Sequence, residues 1–272
     1  MTSVRITFLG TGAGNCIHRA HTAIVLDWEN GPRILIDASS GNSVLRNAAM
    51  MGMVSSEFNK ILASHHHSDH IGGLPHIQGQ RFLLDPHGEP LEVYCSEETA
   101  HGIRDLFDAT SITHSTTENS LVSRDGVTLA KWCPVQVQES IDLGSRVKAS
   151  SFSVDHIKGA IGWRIERDGL SVVFSGDTRF SSEVVNASQE ADILIHEALS
   201  IESEKESTYR RGHSTALDAA RVARMGGVKQ LVMTHIDTTY HSSSGLLVKE
   251  AAEYYEGPIS VAHDLFRINV AS

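Results

Sequence analysis

Short runs of β-branched and other apolar residues, bounded by turn residues, recur along the chain and predict strands over residues 4–9, 22–27, 33–37, 60–63, 91–95, 160–166, 171–175, 192–196 and 230–234. Apolar positions at helical spacing predict helices over residues 43–51, 97–107, 214–225 and 246–255, with Gly226 and Gly257 as stops for the last two. The pattern is mixed α and β without a short repeat. No Pro/Gly/Ser-rich linker or block of charge interrupts it, so residues 1–272 are expected to form one domain.

Four strands end abruptly in a turn that carries His or Asp: residues 61–64 lead to His65, 151–155 to His156, 172–175 to Asp177 and 231–234 to His235. Ligands at strand exits can converge on one edge of a sheet sandwich. The first exit opens the run His65-His66-His67-Ser68-Asp69-His70. In an extended turn, residues two apart point the same way, so His65 and His67 can hold one metal ion while Asp69 and His70, past the bend, face a second. His66 should then point away. A solvated loop that binds metal adventitiously is the alternative reading of a histidine run. Neither half-site is complete, because zinc takes about four donors, and His156, Asp177 and His235 fit that need. Asp177 follows Gly176, which lets the backbone approach closely, so its carboxylate is placed to bridge both ions.

Composition narrows the picture. With 40% hydrophobic and 21% charged residues the chain can bury a sizeable core. A formal charge of -10 argues against broad attraction to a phosphate backbone, although a local basic patch around a cleft can survive it. Residues 1–10 lack the apolar stretch of a secretion signal and no run is able to span a bilayer, so a cytoplasmic protein without membrane contact is expected. Cys16, Cys95 and Cys133 are an odd number without CxxC spacing, which indicates neither a disulfide framework nor a thiolate zinc site. Sixteen histidines weigh more, because imidazole is the commonest metal ligand.

The segments His65-x-His67-x-Asp69-His70-Ile71-Gly72-Gly73, Phe174-Ser175-Gly176-Asp177-Thr178 and Thr234-His235 resemble the metallo-beta-lactamase superfamily. Within it the ribonuclease Z branch is the most similar, through Leu9-Gly10-Thr11-Gly12-Ala13-Gly14, His196-Glu197-Ala198 and Gly212-His213-Ser214-Thr215. The resemblance implies an α+β four-layer αββα sandwich, with two packed mixed sheets and helices outside. It also implies a ligand set: His65, His67 and His156 on one ion, Asp69, His70 and His235 on the other, and Asp177 between them. The expected cofactors are two zinc ions, with manganese or iron also suited to His and Asp donors. By analogy, the expected partner is a second copy of the chain, with a face supplied by the helix-rich segment after His70. The run 10–14 is read as a tight turn beside the site, because no helix pattern or acidic ribose partner follows it as in a dinucleotide loop.

Two metals roughly 3.5 to 4 Å apart can share a water, lower its pKa toward about 7 and polarise the ester under attack. Asp69 is placed to orient that water or take its proton. His213 is placed to stabilise charge or protonate the leaving oxygen, oriented by Glu197. The structural alternatives are a carboxylate tying a loop, for Glu197, and a helix-start residue, for His213. Trp163 is read as a core aromatic. His76, His114, His196, His241 and His263 have no partner that the sequence identifies.

Ribonuclease Z proteins commonly carry a long arm, rich in Gly and Pro, that clamps transfer RNA between the ligands matching His156 and Asp177. Here only 21 residues separate those two positions, filled by two strand-like runs and the turn Arg167-Asp168-Gly169. The expectation is therefore a phosphodiesterase acting on a small-molecule ester, with transfer RNA disfavoured. The alternatives are an arylsulfatase, a lactone or beta-lactam hydrolase, and a non-catalytic ligand-binding module, the last disfavoured because all seven ligand positions are filled.

Overall fold

The computed structural model describes residues 2–110 and 114–271. In chain order the strands are β1 (Ser3–Gly10), β2 (Ala23–Trp28), β3 (Arg33–Ile36), β4 (Lys60–Leu62), β5 (Leu91–Cys95), β6 (His114–Thr116), β7 (Ser120–Ser123), β8 (Thr128–Pro134), β9 (Ser140–Gly144), β10 (Val147–Ser153), β11 (Ile161–Arg167), β12 (Leu170–Phe174), β13 (Ile193–Glu197), β14 (Leu231–Thr234), β15 (Ile259–Val261) and β16 (Arg267–Ala271). The helices are α1 (Ser43–Met50), α2 (Ser68–Ile71), α3 (Leu74–Leu84), α4 (Glu97–Thr110), α5 (Ser182–Ala187), α6 (Lys205–Arg210), α7 (Ala216–Gly226) and α8 (Gly245–Ala251). One sheet runs β16-β1-β2-β3-β4-β5-β8-β7-β6 and the other β15-β14-β13-β12-β11-β10-β9. Both are mixed: β3, β4, β5 and β8 are parallel within the first, β12 to β15 within the second, and antiparallel strands flank them.

The strand period of two sorts the apolar side chains into three layers. Ile34 and Ile36 of β3 join Val172 and Phe174 of β12 and Ile193 and Ile195 of β13 between the sheets. Leu35 faces the opposite way, onto Val44 and Ala48 of α1, Ile77 of α3 and Ile103 of α4. Val173 and Leu194 turn outward onto Ala219, Val222 and Ala223 of α7. The result is the four-layer αββα sandwich. Central strands covered on both faces need apolar residues at nearly every position, and this is why they read as mostly apolar runs in the sequence. Trp163, fully buried between the sheets, donates its Nε1–H to the carbonyl of Ala63 at 3.2 Å, tying the second sheet to the strand exit that bears His65.

Candidate active site

The carboxyl ends of the parallel strands supply the cluster. β4 runs out into His65 and His67, and α2 then carries Asp69 and His70 in a single turn. β12 is followed by Asp177, β13 ends at Glu197 and β14 is followed by His235, while His156 lies in the turn between β10 and β11. Gly176 has φ +62 and Gly212 φ +84, a region that side chains rarely adopt. A Cβ on Gly212 would stand 2.6 Å from Nδ1 of His156, so the chain can pass that ring only as glycine.

His65, His67, His156 and Asp177 form one set of ligand atoms, and Asp69, His70 and His235 another, each within 4.8 Å. In the first set Nε2 of His65 is 2.9 Å and Nε2 of His156 3.2 Å from Nδ1 of His67, and Oδ2 of Asp177 stands 3.7 and 3.9 Å from those two Nε2 atoms. In the second set Oδ2 of Asp69 is 3.4 Å from Nε2 of both His70 and His235. Oδ2 of Asp177 lies 3.2 Å from Nε2 of His70 and 3.3 Å from Nε2 of His235, so one oxygen faces both sets. Four donors at about 2.0–2.2 Å from a zinc ion are roughly 3.3–3.6 Å from one another, and the spacings in both sets fall around that value.

Protonation matches the geometry. Burial, helped by His70, holds His65 well below the ordinary imidazole value; burial and His156 lower His67, and burial lowers His156 against the pull of Asp177. Burial alone would raise Asp69 and Asp177. The neighbouring His70 and His235 outweigh it and keep both carboxyls well below the usual carboxylate range. His70 is the exception: burial disfavours its charge, but Asp177, Asp37 and Asp69 surround it and carry it well above the usual value. Its Nε2 lies 3.4 and 3.2 Å from the carboxylates of Asp69 and Asp177, and a metal ion held there would take the place of its proton.

The backs of the rings are also held. Nδ1 of His70 meets Oδ2 of Asp37 at 2.7 Å, and Asp37 accepts the backbone N–H and the hydroxyl of Ser64 at 2.7 and 2.8 Å. Nδ1 of His156 meets the carbonyl of Gly212 at 2.9 Å, and Nδ1 of His65 the hydroxyl of Ser64 at 3.0 Å. Asp37 and His235 take φ of +53 and +56, left-handed values that cost about 1–3 kcal/mol each where the surroundings impose them.

Glu197, 1% exposed, accepts the backbone N–H of Thr178 at 2.7 Å and of Ser214 at 3.1 Å, and meets Nδ1 of His213 at 2.9 Å. Burial would depress His213, but Glu197 more than offsets it and the imidazole sits at about 9. With Nδ1 committed to Glu197, Nε2 is the free nitrogen of a ring that lines a cleft of about 250 Å³, together with His67, Asp69, Asp177, His235, Gly14 and Arg211. The 10–14 run is a turn beside the site: a Cβ on Gly14 would stand 3.0 Å from Oδ2 of Asp69.

All seven residues expected to hold metal are thus brought together, with His213 and Glu197 beside them. His66 belongs to neither set and packs against Gly102 of α4. His241 stacks on His18 at 4.8 Å, and Nδ1 of His196 meets the carbonyl of Glu197 at 2.7 Å. Sequence reasoning missed Asp37, Ser64 and Arg211. Asp37 closes a buried strand just as the ligand-bearing exits do, and that signal could have found it. The interval between His156 and Asp177 holds β11, β12 and their turn, with no arm.

Comparisons with known proteins bear on this geometry. A family model described as a Beta-lactamase superfamily domain matches residues 32–236. Ribonuclease Z from Methanothermobacter thermautotrophicus is 31% identical, covering 98% of this chain and 97% of that protein. The alignment extends over 309 positions, at least 37 more than these 272 residues can fill. Ribonuclease Z from Myxococcus xanthus is 40% identical over 104 residues, which are 38% of this chain and 34% of that protein. Among solved structures, the metallo-beta-lactamase fold protein YhfI from Bacillus subtilis superposes with a TM-score of 0.80 at 19% identity, covering 98% of this chain and all of that one.

Proposed function

Because the chain belongs to the beta-lactamase superfamily, we propose that it is a dinuclear, metal-dependent phosphodiesterase of the ribonuclease Z kind, working as one domain over residues 1–272. The observation that carries this reading is the single carboxylate oxygen of Asp177 within 3.2–3.9 Å of His65, His70, His156 and His235. In the proposal His65, His67 and His156 hold one ion, Asp69, His70 and His235 the other, and Asp177 both. Zinc is the favoured metal, with manganese or iron as alternatives for a site without thiolates. A metal pair supplies a nucleophile at neutral pH and neutralises the charge of the phosphodiester.

The chain's own groups do the rest. Asp69, ionised and lining the cleft, orients the attacking water or takes its proton. His213 donates from Nε2 to the departing oxygen, and Glu197 fixes the ring by holding Nδ1–H. Glu197 is itself immobile, because two backbone N–H groups grip its carboxylate.

A small phosphodiester fits better than transfer RNA, since no arm separates His156 from Asp177 and the formal charge is -10. Self-association as a dimer fits the exposed apolar side chains Met50, Leu83 and Leu84, at the ends of α1 and α3, which pack side by side. A cytoplasmic location is part of the same proposal; among the described residues no helix is long and apolar enough to cross a membrane.

The test is an assay of bis(p-nitrophenyl) phosphate beside p-nitrophenyl sulfate, a lactone, a beta-lactam and a precursor transfer RNA, with Asp69→Ala as control. The phosphodiester should be cleaved best and the variant should be inactive. Turnover confined to the sulfate or the carbonyl substrates would reject the substrate class, and efficient cutting of precursor transfer RNA would reject the weight given to the missing arm.

A further inference from the structure

Arg211 is the only Lys or Arg among the described residues lining the metal cleft, which otherwise presents Asp69, Asp177 and three histidines. It sits one residue before Gly212 and two before His213, on a segment already fixed by the contact of Gly212 with His156. Its acidic neighbour is Asp237, and that carboxylate is well anchored: Oδ2 accepts from Asn15 and Oδ1 from the backbone of Thr239, both at 2.9 Å. Arg211 itself is held loosely. Its NH1 stands 3.6 Å from Asp237, beyond hydrogen-bond range, and its Nε is 3.5 Å from the carbonyl of Ser207. A guanidinium has five N–H donors, so most of this one's capacity is uncommitted. The Arg211 side chain is 45% exposed and that of Asp237 10%, and at 3.6 Å the pair leaves the guanidinium's donors available to a ligand in the cleft.

Arg210, the chain neighbour, lines a second open groove whose other cations are already paired, Arg179 with Asp155 and Lys205 with Glu202 and Asp218, which leaves Arg211 as the cation that faces the cleft.

We propose that Arg211 binds a second anionic group of the substrate, so that the preferred substrates are phosphodiesters carrying a further phosphate next to the scissile one. The proposal rests on the phosphodiesterase reading and names the specificity of that same site. The guanidinium offers a bidentate fork to the second phosphate, while the scissile phosphate lies over Asp69 and Asp177.

The experiment compares thymidine 5′-(p-nitrophenyl phosphate) with the same diester bearing a 3′-phosphate. The native protein should favour the 3′-phosphorylated diester in kcat/KM by about 10-fold or more, mostly through KM, as expected of a lost or gained charge-assisted contact. Arg211→Gln should reduce that preference to within about 3-fold, and Arg211→Lys should retain part of it. A native protein without preference, or a preference that survives in Arg211→Gln, overturns the proposal and leaves the phosphodiesterase reading intact. Failure to cleave these diesters and bis(p-nitrophenyl) phosphate alike overturns both.

Discussion

Asp37 distinguishes a metal centre from a mere cluster of histidines, because it touches no substrate-facing atom and acts only by fixing His70 and Ser64. Outer carboxylates of this kind orient the imidazole and raise its basicity. Asp37→Asn should therefore weaken metal retention by about 10–100-fold, measured by competition with a chromogenic chelator; unchanged retention would remove Asp37 from the centre. His213 makes a contrasting case. His213→Ala should lower kcat by about 10²–10⁴ while the metal content stays at the native level. Loss of metal in that variant would make His213 a ligand, in line with its grouping with Asp177 and His235, whose ligand atoms lie within 4.8 Å of one another, and an unaffected rate would remove it from the mechanism. At this scale the sequence is legible wherever a candidate ligand sits in a motif, and less so for Asp37, Ser64 and Arg211. Their importance comes from what folds against them, and no spacing encodes that.

The elements explain which parts of the fold can be read in advance. β3, β12, β13 and β14 are covered on both faces and each carries at least three apolar residues, so they stand out. β9 and β16 are edge strands with mostly exposed residues, Ser140–Gly144 and Arg267–Ala271, and carry no such run. α3 conceals itself by inverted polarity: Leu83 and Leu84 are exposed while Arg81 is buried, donating to the carbonyls of Phe58 and Glu89 and to Asn59. Helix α7 starts at Ala216 rather than at 214, because Thr215 caps it by accepting the backbone N–H of Asp218. The turn before this helix is where an element's backbone serves the site most directly. Gly212→Ala would drive a Cβ into the ring of His156 from a left-handed φ. It should cost about 1–3 kcal/mol of stability and displace one ligand, read as a lower Tm together with reduced metal content. A variant with native Tm and native metal would contradict the packing described for this turn.

Over the whole molecule, two sheets meet at one edge that gathers three carboxylates, Asp37 and Asp177 buried and Asp69 half-buried. Cations should bind the folded chain far more tightly than the unfolded one. Removing metal with a chelator should lower the Tm, and metal at about 1,000 times its Kd should restore roughly 4 kcal/mol of stability; a Tm indifferent to chelation would mean that the cluster is held by protons and hydrogen bonds alone. Light scattering should give the mass of a dimer, with dispersal to monomers on Leu83→Glu, whereas a monomeric native protein would leave the exposed apolar face without this role. The central claim is that phosphodiester hydrolysis requires both sets of ligands at once. Its most direct test is to titrate metal-stripped protein with zinc while following hydrolysis of bis(p-nitrophenyl) phosphate. The account predicts activity that rises and breaks at two equivalents per chain and is absent from Asp177→Ala. A break at one equivalent, or hydrolysis that persists in the stripped protein, would contradict it.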